Sequence, residues 1–143
     1  MGDRGVSKVS PRILLVDDEV LLLRTLSNAL REDGFDVLSA SSAEDAAKQL
    51  GGGVAVDVVV LDVKLPGKSG LELLREFRSA GFHGRAVVMT AFDSPESERV
   101  CRSLSVDRYL RKPFDLARML DLVRELASGA GDRTASTEGS TST

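Results

Sequence analysis

Apolar and polar positions fall in blocks along this chain, and four of the apolar blocks stop at a polar residue. Ile13-Leu14-Leu15-Val16 runs into Asp17-Asp18, Val58-Val59-Val60-Leu61 into Asp62, and Ala86-Val87-Val88-Met89 into Thr90. A fourth block, Asp107-Arg108-Tyr109-Leu110-Arg111, runs into Lys112-Pro113. Between these blocks the apolar residues recur at helical spacing. The pattern predicts a strand over 12–16 and a helix over about 19–32, with Leu22, Leu26, Ala29 and Leu30 on one face and Gly34 as its stop. A second strand over 35–39 leads to a helix opened by Ser41 with Glu44 three residues on, a capping-box pattern, and closed by Gly51-Gly52-Gly53.

The third strand is predicted over about 56–61, followed by a Pro66-Gly67 turn. A second capping box, Ser69 and Glu72, then opens a helix to about residue 80. The fourth strand covers about 85–89, and Ser94-Pro95 reads as the N-cap and first turn of a weakly amphipathic helix. In that helix only Val100, Cys101 and Leu104 are core candidates. A fifth strand over about 107–110 precedes a helix capped by Asp115, with Leu116, Met119, Leu120 and Val123 at helical spacing. Strands one, three and four are nearly continuous aliphatic runs, as strands covered on both faces should be. Five βα units in sequence predict an α/β fold with a doubly wound parallel sheet. Ligands in such sheets bind outside the carboxyl ends of the strands. Asp17, Asp18, Asp62, Thr90 and Lys112 all fall there.

Composition narrows the setting. The chain has 143 residues, 42% hydrophobic and 29% charged, which suits one globular domain with tails. Residues 1–11 read as a flexible lead, 12–127 as the domain and 128–143 as a disordered tail or linker, since that tail has no large apolar side chain. A net charge of −3 gives no reason to expect direct nucleic-acid binding. The single cysteine, Cys101, cannot form an internal disulfide. No apolar stretch is long enough for a transmembrane helix, and residues 1–6 lack the apolar core of a signal peptide. A cytoplasmic protein without membrane contact is the expectation.

Taken singly, the edge residues have ordinary explanations. Asp17 or Asp18 would cap a helix, Asp62 would solvate a loop, Thr90 would form a turn and Lys112 would be an exposed lysine. Taken together, three neighbouring carboxylates repel one another unless a cation neutralises them. A hard, oxygen-seeking ion such as Mg2+ suits that set. Lys112 adds a point charge for phosphate oxygens and Thr90 a neutral donor. A carboxylate beside such charges is a competent nucleophile toward phosphorus.

These motifs resemble the receiver domain of two-component response regulators. The resemblance is carried by Ile13 through Glu19, by Leu61-Asp62-Val63-Lys64-Leu65-Pro66-Gly67 through Ser69-Gly70-Leu71-Glu72-Leu73, by Met89-Thr90-Ala91, and by Tyr109-Leu110-Arg111-Lys112-Pro113-Phe114. It implies a flavodoxin-like, doubly wound five-stranded parallel sheet of order 2-1-3-4-5 with five helices. It implies that Asp62 is the phosphoacceptor. Asp18, Asp62 and the backbone carbonyl of Lys64 would bind Mg2+, with help from Asp17. Lys112 would pair with the phosphoryl group, Thr90 would hydrogen-bond it, and Tyr109 would swing inward. The surface of the fourth helix, fifth strand and fifth helix would then change for a partner. Ala91 would leave access to the acyl phosphate, and Lys112-Pro113 would be a cis peptide.

The implied activity is that of a signalling switch, catalysing only its own phosphorylation and dephosphorylation. Its implied partners are a histidine kinase or histidine phosphotransfer protein and a downstream protein or output domain, and it admits a homodimer formed on phosphorylation. No output domain is expected within the chain. Two departures stand out. Ser105-Val106 replaces a common glycine-alanine pair, which puts the preceding helix terminus in question, and Lys64 places a long cation where water must approach. A haloacid-dehalogenase-like phosphatase would need a second aspartate at position 64. A pseudo-receiver, an interaction module without phosphotransfer, is the alternative. His83 reads as a surface turn residue, Cys101 as a small core or helix-surface residue, and Phe92 as a loop aromatic or a cover for the site.

Overall fold

The computed structural model describes residues 10–90 and 95–128, apart from the side chains of residues 96–98. Ala91, Phe92, the Ser94 cap, most of the lead and nearly all of the tail lie outside the described residues. Five strands and five helices alternate: β1 (Arg12–Val16), α1 (Val20–Glu32), β2 (Asp36–Ala40), α2 (Ala43–Gly51), β3 (Val58–Asp62), α3 (Gly70–Ser79), β4 (Arg85–Thr90), α4 (Pro95–Ser103), β5 (Arg108–Arg111) and α5 (Leu116–Ser128). The strands form one parallel sheet in the order β2-β1-β3-β4-β5. The expected flavodoxin-like order is the one observed.

The aliphatic runs decide this arrangement. All five residues of β3 are buried, as are the last four of β1 and the first five of β4. Burying one such side chain is worth about 1.5–3 kcal/mol, so a central strand needs cover on both faces. One face carries a core of Ile13, Leu15, Val58 and Val60 packed on Leu26, Leu30, Met119 and Val123. The other carries Leu14, Val16, Val59 and Leu61 packed on Ala46, Leu73, Leu74 and Phe77.

Two local expectations shift. The buried face of α1 is Leu23, Leu26, Ser27 and Leu30, with Leu22 and Ala29 only half-buried. The cap of α2 is Ser42, not Ser41: its Oγ accepts from the Asp45 backbone N–H at 3.1 Å. Ala43 and Ala46 face the core, and that choice sets the phase of the helix. The Ser69–Glu72 capping box forms as expected.

The departure at Ser105 is accommodated. Ser105 itself takes the left-handed conformation, φ 58°. Its N–H donates to the Arg102 carbonyl and that of Val106 to the Cys101 carbonyl, which closes α4 as a glycine would. A non-glycine residue there costs roughly 1–2 kcal/mol. Ser105→Gly is therefore expected to stabilise the fold by about 0.5–1 kcal/mol, after the added unfolded-state freedom of glycine is subtracted. A higher urea midpoint at unchanged slope is the measurement.

Candidate phosphoacceptor and metal site

The sheet places the polar residues that end each run side by side. Val16 is in register with Leu61, so Asp17, the next residue, meets Asp62, the last residue of β3. Thr90 ends β4 and is paired with Arg111, the last residue of β5. Its carbonyl accepts from the Lys112 N–H at 2.8 Å, which fixes the lysine backbone beside β4. The Lys112–Pro113 bond is cis, as expected.

Two buried carboxylates share one ammonium. Lys112 Nζ lies 3.0 Å from Asp17 Oδ2 and 3.2 Å from Asp62 Oδ2. The other oxygen of each is held by backbone: Glu19 N–H donates to Asp17 Oδ1 at 2.8 Å, and Lys64 N–H to Asp62 Oδ1 at 3.2 Å. Asp17 is fully buried and Asp62 is 6% exposed, whereas Asp18 faces solvent. The capping explanation for Asp17 and Asp18 does not hold, because Glu19 occupies the N-cap of α1 without a side-chain cap bond. Asp17 instead braces the turn from inside.

Burial pushes the Asp62 carboxyl up, the charge of Asp17 adds to this, and Lys112 opposes both. Burial works against the Lys112 ammonium, but its hydrogen bond to Asp17 and the charges of Asp17 and Asp62 outweigh that and raise its pKa. Burial and the neighbouring Asp17 thus disfavour the charged form of Asp62 more than Lys112 supports it. Asp17, Asp18 and Asp62 each bring an oxygen within 4.8 Å of the others. That oxygen-only set, with one buried carboxylate resisting ionisation, fits a hard divalent cation.

Two residues near the site were read from the sequence as parts of motifs but given no role. Glu19 Oε2 stands 3.9 Å from Lys112 Nζ, and its adjacency to Asp17-Asp18 was the available signal. Gly70 opens α3 directly against β3: a Cβ there would sit 2.1 Å from the Asp62 carbonyl oxygen. Tyr109 lies on β5 and is 38% exposed, and Thr90 is half-buried at the edge. The Lys64 side chain is exposed. His83 is an exposed turn residue and Cys101 is buried, both as read from the sequence.

Residues 13–124 match the family model of the response regulator receiver domain. The chain belongs to that family. Among curated response regulators, MprA of Mycobacterium ulcerans is 38% identical over 119 residues, covering 82% of this chain and 50% of that protein. The transcriptional regulatory protein TrcR of Mycobacterium tuberculosis is 36% identical over 115 residues, covering 80% of this chain and 44% of TrcR. The chain therefore spans about half the length of the curated relatives it matches.

Solved receiver domains superpose on the same sheet. A CheY-like receiver domain from Methanospirillum hungatei aligns with a TM-score of 0.81 at 23% identity, covering 87% of this chain and 98% of that one, which shows the fold. Response regulator TrrA of Thermotoga maritima, solved in complex with Mg2+ and BeF, aligns with a TM-score of 0.71 at 31% identity, covering 81% of this chain and 98% of that one. Receiver domains of response regulators act in two-component systems as signalling switches rather than as classical enzymes. Among the described residues no helix is long and apolar enough to cross a membrane.

Proposed function

We propose that residues 12–127 form a phosphoacceptor receiver of a two-component or phosphorelay system, with Asp62 as the phosphorylated residue. The observation that carries this reading is the pair of buried carboxylates sharing the Lys112 ammonium at the carboxyl edge of the sheet. An Asp62 oxygen attacks phosphorus as the bond to the donor breaks: the nitrogen of a phosphohistidine, or the acyl oxygen of acetyl phosphate. The product is an acyl phosphate, and the leaving group departs with its electron pair. Lys112 is then freed from Asp62 to meet phosphoryl oxygens, and Thr90 supplies a neutral hydrogen bond. Asp17, Asp18, Asp62 and the Lys64 carbonyl would hold Mg2+, which supplies charge neutralisation for the transferring group.

The switch then biases an existing equilibrium. Thr90 moves toward the phosphoryl group, the half-exposed Tyr109 turns inward, and the surface of α4, β5 and α5 changes for a downstream protein or output domain. A histidine kinase or histidine phosphotransfer protein is the phosphodonor. The reading admits a homodimer formed on phosphorylation, the setting is cytoplasmic, and this segment does not itself bind nucleic acid.

The test is intact mass after incubation with Mg2+ and acetyl phosphate. One added phosphoryl group is expected, lost with EDTA and in Asp62→Asn. No uptake, or uptake indifferent to that substitution, would leave a pseudo-receiver in its place. Lys64, two residues beyond the phosphoacceptor, is expected to set the lifetime of the acyl phosphate. Autodephosphorylation of Lys64→Asn and Lys64→Ala should differ several-fold from the parent, and equal rates would remove that role.

A further inference from the structure

Among the described residues, the apolar anchors of the fourth helix gather at one end. Its amino half, Glu96-Ser97-Glu98-Arg99 after Pro95, contains no aliphatic side chain. The anchors lie in or just past the carboxyl half: Cys101 and Leu104 are buried, and Val100 and Val106 pack against the core cluster that holds Leu104. The amino end follows Thr90, and so the site edge, after a few residues.

One side chain ties down the carboxyl end. Arg78, on the last turn of α3, donates to the carbonyls of Leu104 and Ser105 at 3.0 Å each. The same guanidinium donates to the carbonyls of Phe82 at 3.1 Å and Gly84 at 2.7 Å, in the loop leading to β4. It also stacks 5.2 Å from the Phe82 ring centre. Four backbone carbonyls from two separate segments thus converge on one planar cation, an arrangement that the single ammonium of lysine cannot match. The two α4–β5 carbonyls lie where Ser105 holds its left-handed turn.

We propose that Arg78 is a positioning residue that makes the carboxyl end of α4 a fixed pivot, so that the helix answers the site by moving its amino half about that end. The regulatory part of this inference rests on the receiver reading above. It assigns the two ends of α4 different duties. The amino end follows Thr90, while the carboxyl end stays joined to α3 and the α3–β4 loop.

Hydrogen exchange resolved along α4 tests it, with and without acetyl phosphate and Mg2+, in the parent and in Arg78→Met and Arg78→Lys. Methionine keeps a long apolar stem over Phe82 and removes all four bonds; lysine keeps the charge and serves fewer carbonyls. In the unphosphorylated Arg78→Met protein, the amides of Leu104, Ser105 and Val106 should exchange about tenfold faster or more, the equivalent of losing one or two net hydrogen bonds, with sheet amides unchanged. Arg78→Lys should fall between, and decides the matter if Arg78→Met does not fold. In the parent, phosphorylation should alter exchange in the amino half of α4 and leave residues 104–106 alone. In the variants the change should spread through residue 106, while uptake at Asp62 stays at the parental level. Parental exchange at residues 104–106 in the variants, or the same distribution of change in parent and variants, would overturn the proposal. If the parent takes up no phosphoryl group, the receiver reading fails, and the anchoring by Arg78 is decided by the unphosphorylated exchange alone.

Discussion

Lys112→Met is expected to lower the rate of Asp62 phosphorylation by about 10²–10³-fold, the usual effect of removing one charge aimed at a developing anion. The same substitution should unmask a stability defect that depends on the metal. Lys112 is the cation both buried carboxylates share, and Asp17 has no exposure through which water could replace it. Breaking a buried pair from one side typically costs about 3–5 kcal/mol, because the remaining charge is left uncompensated. In EDTA the variant should therefore unfold at a markedly lower urea concentration than the parent. Millimolar Mg2+ should recover much of the loss, since a ligand that binds only the folded state stabilises it by mass action. It should also bind the variant more tightly than the parent, having no ammonium to displace. Urea midpoints with and without Mg2+ measure both effects. A midpoint in EDTA equal to the parent's would mean that Lys112 does not neutralise the pair.

Gly70→Ala is expected to destabilise the domain by about 3 kcal/mol, the upper part of the range for overpacking a tight contact. The reason is local and rigid. A Cβ at position 70 would lie 2.1 Å from the Asp62 carbonyl oxygen and 2.9 Å from its carbonyl carbon. Both obstructing atoms are backbone in a fully buried strand, so no side chain can rotate away. Gly70 N–H also donates to the Val63 carbonyl at 2.8 Å, which holds α3 to this loop. The first turn of α3 must move, or the Asp62 backbone must. Either shifts the Asp62 carboxylate against Lys112, and a misplacement of about 1 Å can cost 10²-fold in rate. Chemical denaturation and the acetyl phosphate assay, run together, separate the two losses. If Gly70→Ala matched the parent in both, the close approach would have no consequence for the site.

Much of this was legible in the chain because it is written in local periodicity. The βα alternation, the capping box at Ser69 and Glu72, and the polar residues at the ends of four of the strands follow from spacings of two to four residues. Where neighbours are chemically alike, local pattern cannot choose between them. Ser41 and Ser42 both suit an N-cap, and only the burial of Ala43 and Ala46 selects Ser42. Leu21-Leu22-Leu23 offers three equal candidates for the core, and the position of the sheet buries Leu23 while leaving Leu21 at 75% exposure.

Local pattern in the chain was enough for the five βα units, the doubly wound class, and the gathering of Asp17, Asp18, Asp62, Thr90 and Lys112 at one edge, because strand direction alone carries those residues there. Their inequality came with the closed sheet: Asp17 buried and Asp18 exposed, one ammonium divided between two carboxylates, Asp62 pushed toward its neutral form. The closed sheet also brought Gly70 against Asp62, Arg78 onto the distant carbonyls of Leu104 and Ser105, and Arg85 to Asp107 as a buried ion pair at 3.4 Å. Such contacts lie beyond the two-to-four-residue spacings of local pattern. Their energies come from desolvation and close approach, which exist only once the sheet has closed over them.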